Sequence, residues 1–182
     1  LYVRGSNSDQ NLILMNGLPL YGNGHIWGLM SNFNPEIIQS CDFYRGVAPA
    51  RYGGRAVGGV LDVQTNAGSA ENWSGLVNVD VATFNVAING PLDKQGKVTT
   101  SLAFRRSYLD WILGDQSFLV GNVHDFNFKL GYKKDIKNHF DFWFYNGRDK
   151  YGVNFSANGK DSIGRRIDFT LGIGAVWQNT LA

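Results

Sequence analysis

From Trp73 to Trp177 the chain repeats one pattern: apolar residues at every second position, in runs separated by turn residues. Successive side chains of a pleated strand point to opposite faces, so this period commits the segment to β-structure with one apolar face. In Lys97–Arg106, Val98, Leu102 and Phe104 share one parity, and Thr99, Ser101 and Arg105 the other. In Val123–Lys133, Phe126, Phe128, Leu130 and Tyr132 oppose Asp125, Asn127, Lys129 and Gly131. The run His139–Asn146 sets Phe140, Phe142 and Phe144 against Asp141, Trp143 and Tyr145. Arg165–Trp177 alternates longest, from Ile167 through Phe169, Leu171, Ile173 and Ala175 to Trp177. Between Trp73 and Leu92 the parity slips once, from Val77, Val79 and Val81 to Phe84, Val86 and Ile88, which predicts a tight turn at Ala82-Thr83. The segment thus reads as about six antiparallel strands of about ten residues each.

A soluble sandwich alternates in the same way. Three features favour a membrane barrel instead. The strands are long enough to cross lipid. The polar face is rich in Gly, Thr and Asn. Aromatics gather toward strand ends at Trp73, Tyr108, Trp111, Tyr145, Tyr151 and Trp177. The linkers alternate too: Asp93–Gly96 and Lys134–Asn138 are short, whereas Ser107–Asn122 and Arg148–Ser162 are long. Short turns at one end and long loops at the other describe an outer-membrane barrel. Six strands cannot close one, because the smallest have about eight and an open edge in lipid leaves backbone groups unpaired. The expectation is a piece of a larger barrel, or a share in one. A start at Leu1 without Met or a signal pattern fits a segment that begins inside a longer polypeptide.

Residues before about Asn66 are written differently, with short apolar runs (Leu12–Met15, Val60–Val63) between Gly, Asn and Pro turns. Asn34-Pro35-Glu36 predicts a short helix, with Pro at its first position and an acid in its first turn. The break at Ala67-Gly68-Ser69 divides the chain into 1–68 and 69–182. The uncharged stretch Gln10–Pro35 is too broken by Gly, Asn and Pro for a transmembrane helix. A net charge of +2, with no run of like charges, argues against nucleic acid as a partner. Cys41 is the single cysteine, so neither an internal disulfide nor a cysteine metal site can form.

Several motifs in order resemble the plug domain of TonB-dependent outer-membrane receptors: Val3-Arg4-Gly5, Gln10 to Tyr21, Tyr44 to Arg55, and Gly58-Gly59-Val60-Leu61-Asp62-Val63. Asn89-Gly90-Pro91-Leu92 and Phe104 to Asp110 resemble that family's second and third barrel strands, in a form closest to the Bacteroidetes receptors. The resemblance implies an α+β plug segment followed by antiparallel transmembrane strands of a barrel of about 22 strands with an internal plug. It further implies residence in the cell outer membrane, with outer-membrane lipid around the wall and no cofactor. A TonB-type energy-coupling protein is the implied partner, contacting a segment that would precede Leu1, and a surface lipoprotein or a larger outer-membrane complex is a further candidate. Most of the barrel would follow Ala182.

Two sets of candidate site residues follow. Asn23, His25, Trp27 and Asn32 would lie near the plug's outer apex, and Trp111, Asp115, Gln116 and Tyr151 in extracellular loops; aromatics with amide and imidazole donors suit sugars, peptides or chelates. Arg4, Asp42, Arg45, Arg51 and Arg55 are candidates for ion pairs within the plug or against barrel carboxylates. Catalysis and metal binding find no support. Gly22, Gly24 and Gly28 miss the dinucleotide spacing, Gly90–Lys97 misses a phosphate loop, and His25, His124 and His139 show no ligand spacing. The leading functional expectation is energised import of a scarce or large ligand. The alternatives are a non-transporting barrel subunit of a secretion or insertion complex, and a soluble extracellular β-sandwich binding module.

Overall fold

The computed structural model describes residues 3, 5–7, 10–20, 24–25, 28, 30–46, 48–55, 58–113, 119–135, 137–157 and 160–179; at 54, 55, 113, 119–121 and from 151 onward the description is of the backbone alone. Two sheets are present among them. The first has four strands in the order β2-β1-β4-β3: β1 Asn11–Met15, β2 Leu18–Pro19, β3 Ile38–Arg45 and β4 Gly59–Thr65. β1 and β4 run parallel, and the other pairs antiparallel. Asn16 (φ 50°) and Gly17 (φ 81°) turn β1 into β2, as their tolerance of positive φ leads one to expect. The Asn16 side chain does more than turn the chain, because its Oδ1 accepts from the Thr65 amide at 2.9 Å and so ties the hairpin to the end of β4. At Gly58 and Gly59 a Cβ would run into Ser6, Asn11, Tyr44 and Val3, so close packing inside this sheet requires both glycines.

The helix expected after Asn34 is a single 3₁₀ turn, Pro35–Ile37, with the Asn34 side chain accepting from the Glu36 amide. An α+β description therefore gives this part too much helix. The first α-helical turn would have to run on into Ile38, where the chain pairs with Thr65 as β3 instead. The one α-helix among the described residues is α1, Leu109–Leu113, between strands of the second sheet.

That second sheet is a meander of six antiparallel strands in sequence order: β5 Ser74–Val79, β6 Thr83–Pro91, β7 Val98–Ser107, β8 Leu119–Lys133, β9 Asn138–Ala157 and β10 Lys160–Asn179. The parity slip is the turn between β5 and β6. The three last strands are longer than expected, and Arg148–Ser162, read from sequence as a loop, is mostly β9 and β10 in continuous register from Asn138↔Asn179 to Ala157↔Lys160. Apolar alternation marks only the stretch whose outer face is apolar; beyond Asn146 the strands stay paired while Arg148 and Lys150 take that face, so the period vanishes although the ladder does not.

Burial follows the alternation. Asn85, Ala87, Ser101, Ala103, Arg105, Val123, Asp125, Asn127, Lys129, Trp143, Tyr145 and Asp149 are buried on one face, turned toward the first sheet. The other face carries Val77, Val79, Phe84, Ile88, Phe104, Phe126, Tyr132 and Phe140, all exposed. The two apolar clusters both form between the sheets. Met15, Leu20 and half-buried Phe33 meet Trp143 and Tyr145, and Ile37 meets Ala87 and Ala103, whose small side chains leave it room. The wall is thus inverted relative to a soluble sheet: its polar side faces inward and its apolar side outward.

Candidate functional site

The junction between the first sheet and the wall holds a buried polar cluster. The sequence dictates its wall side, since Arg105, Asp125, Tyr145, Gly147 and Asp149 all occupy inward positions of three adjacent strands. The segment before Asn34 supplies the other side. His25, paired with Met30 in a short bridge, is 2% exposed and is held between two carboxylates. Its Nε2 lies 2.6 Å from Asp125 Oδ1, and its Nδ1 donates to Asp149. Tyr145 Oη donates to the same Asp125 oxygen at 3.1 Å. The second oxygen of Asp125 accepts from Arg105 Nε at 2.6 Å, and the guanidinium also donates to the backbone carbonyls of Ser31 (2.5 Å) and Phe33 (3.3 Å). Gly147 makes this possible, because a Cβ there would stand 2.5 Å from Tyr145 Oη and 3.1 Å from His25 Cε1.

Burial by itself would lower the His25 pKa, but the hydrogen bonds and charges of Asp125 and Asp149 outweigh it and raise the imidazole to about 9. At neutral pH the cluster is therefore two cations, His25 and Arg105, against two carboxylates. A neutral, fully bonded set is the arrangement in which buried charge is tolerated. A second tether lies lower on the wall, where Lys129 Nζ donates to the Thr65 carbonyl at 2.8 Å and stands 3.4 Å from Asp141.

Of the residues singled out from sequence, His25 is the cluster's centre. Asn32, seven residues on in the chain, is also buried, at 6% exposure. Trp111 lies on α1, 75% exposed, its ring 5.5 Å from the Arg106 guanidinium on the outer face. Tyr151 is within β9, opposite Gly121 and Arg166. Asp42 and Arg45 lie exposed on β3; Arg51 is exposed and donates to the Tyr52 hydroxyl at 2.7 Å. Asn23, Trp27, Asp115, Gln116 and Arg4 lie outside the described residues, as does the Arg55 side chain. Sequence reading missed Arg105, Asp125, Tyr145 and Asp149. The available signal was charge of both signs recurring at inward parity, which obliges a buried face to find partners.

Comparison with known proteins agrees with this architecture. Residues 1–60 match the family model of the TonB-dependent Receptor Plug Domain. The chain is similar to the ferrienterobactin receptor of Escherichia coli K12, at 33% identity over 133 residues, which cover 66% of this chain and 16% of that protein. It is also similar to the vitamin B12 transporter BtuB of Vibrio cholerae, at 27% identity over 107 residues, covering 56% of this chain and 17% of the relative. The chain thus spans about a sixth of the length of these relatives. Among solved structures, the siderophore receptor PirA of Acinetobacter baumannii superposes with a TM-score of 0.59 at 19% identity, covering 93% of this chain and 30% of its own. The ferric citrate transporter FecA superposes with 0.56 at 18% identity, covering 87% and 31%. The chain is thus similar to the TonB-dependent receptors: residues 1–60 match their plug-domain model, and the six strands after them share the fold of the solved receptors.

Proposed function

We propose that this chain is part of an outer-membrane receptor that imports a scarce or large ligand, driven by a TonB-type protein. The observation that carries the reading is the inverted wall, apolar outward and bonded inward to a plug through His25, Asp125, Arg105 and Lys129. Such polar contacts hold a plug at rest yet can be exchanged for water when it is pulled, which a continuous apolar core would resist. The relatives' ligands, ferrienterobactin and vitamin B12, suggest a metal-bearing chelate of similar size.

On this reading the barrel closes with about 22 strands, and the plug-to-barrel boundary lies at Ala67–Ser69, between the end of β4 and the start of β5. Asn23, His25, Trp27 and Asn32 of the plug and Trp111, Asp115, Gln116 and Tyr151 of the barrel segment are its candidate ligand contacts. Arg4, Asp42, Arg45, Arg51 and Arg55 are its candidates for ion pairs within the plug or against barrel carboxylates. The order and wording of the plug motifs support a receptor of the Bacteroidetes type, with a surface lipoprotein as a further partner. The test is uptake of labelled ferric chelates and cobalamin by cells with and without the gene. Gene-dependent uptake that stops when the proton gradient is collapsed supports the reading. Uptake that survives collapse, or a deletion with no uptake defect but loss of a stoichiometric outer-membrane complex, overturns it in favour of a structural barrel.

A further inference from the structure

The outer face of the wall is apolar across its middle but not at its upper rim. Register defines its rows, which run perpendicular to the strands. Val98, Tyr132, Phe140 and Trp177 share one row, and Leu102, Phe128, Phe144 and Ile173 another; Phe104, Phe126, Asn146 and Leu171 lie above them. The next row reads Phe84, Arg106, His124, Arg148, Phe169. One step higher Lys150 pairs with Asn122. Four basic side chains therefore sit together on three neighbouring strands, at the edge of the apolar band. From Val98 to Arg106 the strand climbs about 27 Å, or about 20 Å of height at the usual barrel tilt, which is nearly the full apolar band of a membrane barrel.

Like charges side by side repel unless an anion joins them. Asp110 on α1 accepts from Asn122 Nδ2 at 3.0 Å and from the Trp111 amide at 3.2 Å. Arg106 lies under the Trp111 ring, and its buried Nε has no hydrogen-bond partner among the described residues. Arg148 takes part in contacts of its own and adds charge to the site. Aromatics at this level, Trp111 and Tyr108, suit the boundary between hydrocarbon and headgroups. Planar guanidinium groups suit phosphate, which accepts paired donors.

We infer that Arg106, His124, Arg148 and Lys150 form a binding site on the outside of the barrel for the phosphate of a membrane lipid headgroup. The inference rests on the membrane reading above and adds a resident lipid to it. The site differs from the lysines at the opposite end (Lys133, Lys134), which lie at an exposed strand end and turn.

The test places the full-length protein in phosphatidylcholine nanodiscs with and without phosphatidic acid, and counts retained phosphatidic acid by native mass spectrometry. The wild type should keep it through detergent release. The double variant R106Q/R148Q should lose it roughly tenfold or more, and Lys134→Gln should behave as wild type. Because the double variant removes two large side chains, heat-modifiable migration checks that it folds; if it does not, R106K/R148K replaces it and should keep the lipid partly. Equal retention by wild type and a folded double variant overturns the site, as does wild type that keeps no lipid. Displacement of the lipid by inorganic phosphate overturns the lipid assignment, since it marks a site for the free ion. A protein that never enters the nanodisc contradicts the membrane reading itself, which separates the two failures.

Discussion

Removing the Asp125 carboxylate leaves His25 and Arg105 with one buried anion between them, because Asp125 alone is bonded to His25, Arg105 and Tyr145. Breaking a buried pair from one side costs about 3–5 kcal/mol. Asp125→Asn should therefore lower the opening free energy of residues 24–34, read by native-state hydrogen exchange in the full-length protein, while exchange in β8 and β9 stays slow. Gly147→Ala reaches the same end by crowding: its methyl would meet Tyr145 and His25, and both are confined by burial. Protection of residues 24–34 should fall there as well, with no charge removed. The pH dependence has a definite sign. The folded His25 pKa of about 9 lies above its ordinary 6.5, so docking is fully supported below pH 6.5 and weakens as pH rises through 9. Asp125 and Asp149 are the carboxylates that face His25, and Tyr145 and Arg105 complete its surroundings. Exchange in this segment, corrected for intrinsic rates, should accelerate between pH 6.5 and about 9 and level off above; a flat profile would show that His25 holds nothing.

At the level of strands, the apolar parity carries the prediction. Phe128 faces outward in mid-band and Lys150 lies above the rim, so Phe128→Arg should cost about 2–4 kcal/mol and depress the folded fraction, whereas Lys150→Gln should leave it unchanged. Folded fraction is read by heat-modifiable migration. Parity is also what made the wall legible in the sequence. Phe126, Phe128 and Leu130, and then Phe140, Phe142 and Phe144, fixed both strand and face because one environment repeats at every second position. The same reasoning lost β9 beyond Asn146 and the start of β10, where Arg148 and Lys150 take the outward positions of β9 and backbone pairing persists without the apolar period. The short helix read at Pro35 is present as a single 3₁₀ turn, since a cap and a first-turn acid specify a start but not a length or type. The cluster was hardest to read. His25 and Asp149 are 124 residues apart, and nothing local records that they meet.

As a whole, the molecule joins a small mixed sheet to a wall whose inner face it fills. The two apolar clusters and the two polar tethers all lie between the sheets, so neither sheet reaches this burial alone. The edges at β5 and β10, unpaired among the described residues, would need strand partners for the wall to stand in lipid. The most direct check uses single cysteines along β8, from Val123 to Tyr132, in the full-length protein with Cys41→Ser, spin-labelled in a bilayer. Accessibility to lipid-dissolved oxygen should alternate, high at positions 126, 128, 130 and 132 and low at 125, 127 and 129, while a water-soluble nickel chelate reaches neither set. High nickel accessibility at the even positions, or no alternation, would contradict an apolar wall facing lipid around a docked plug.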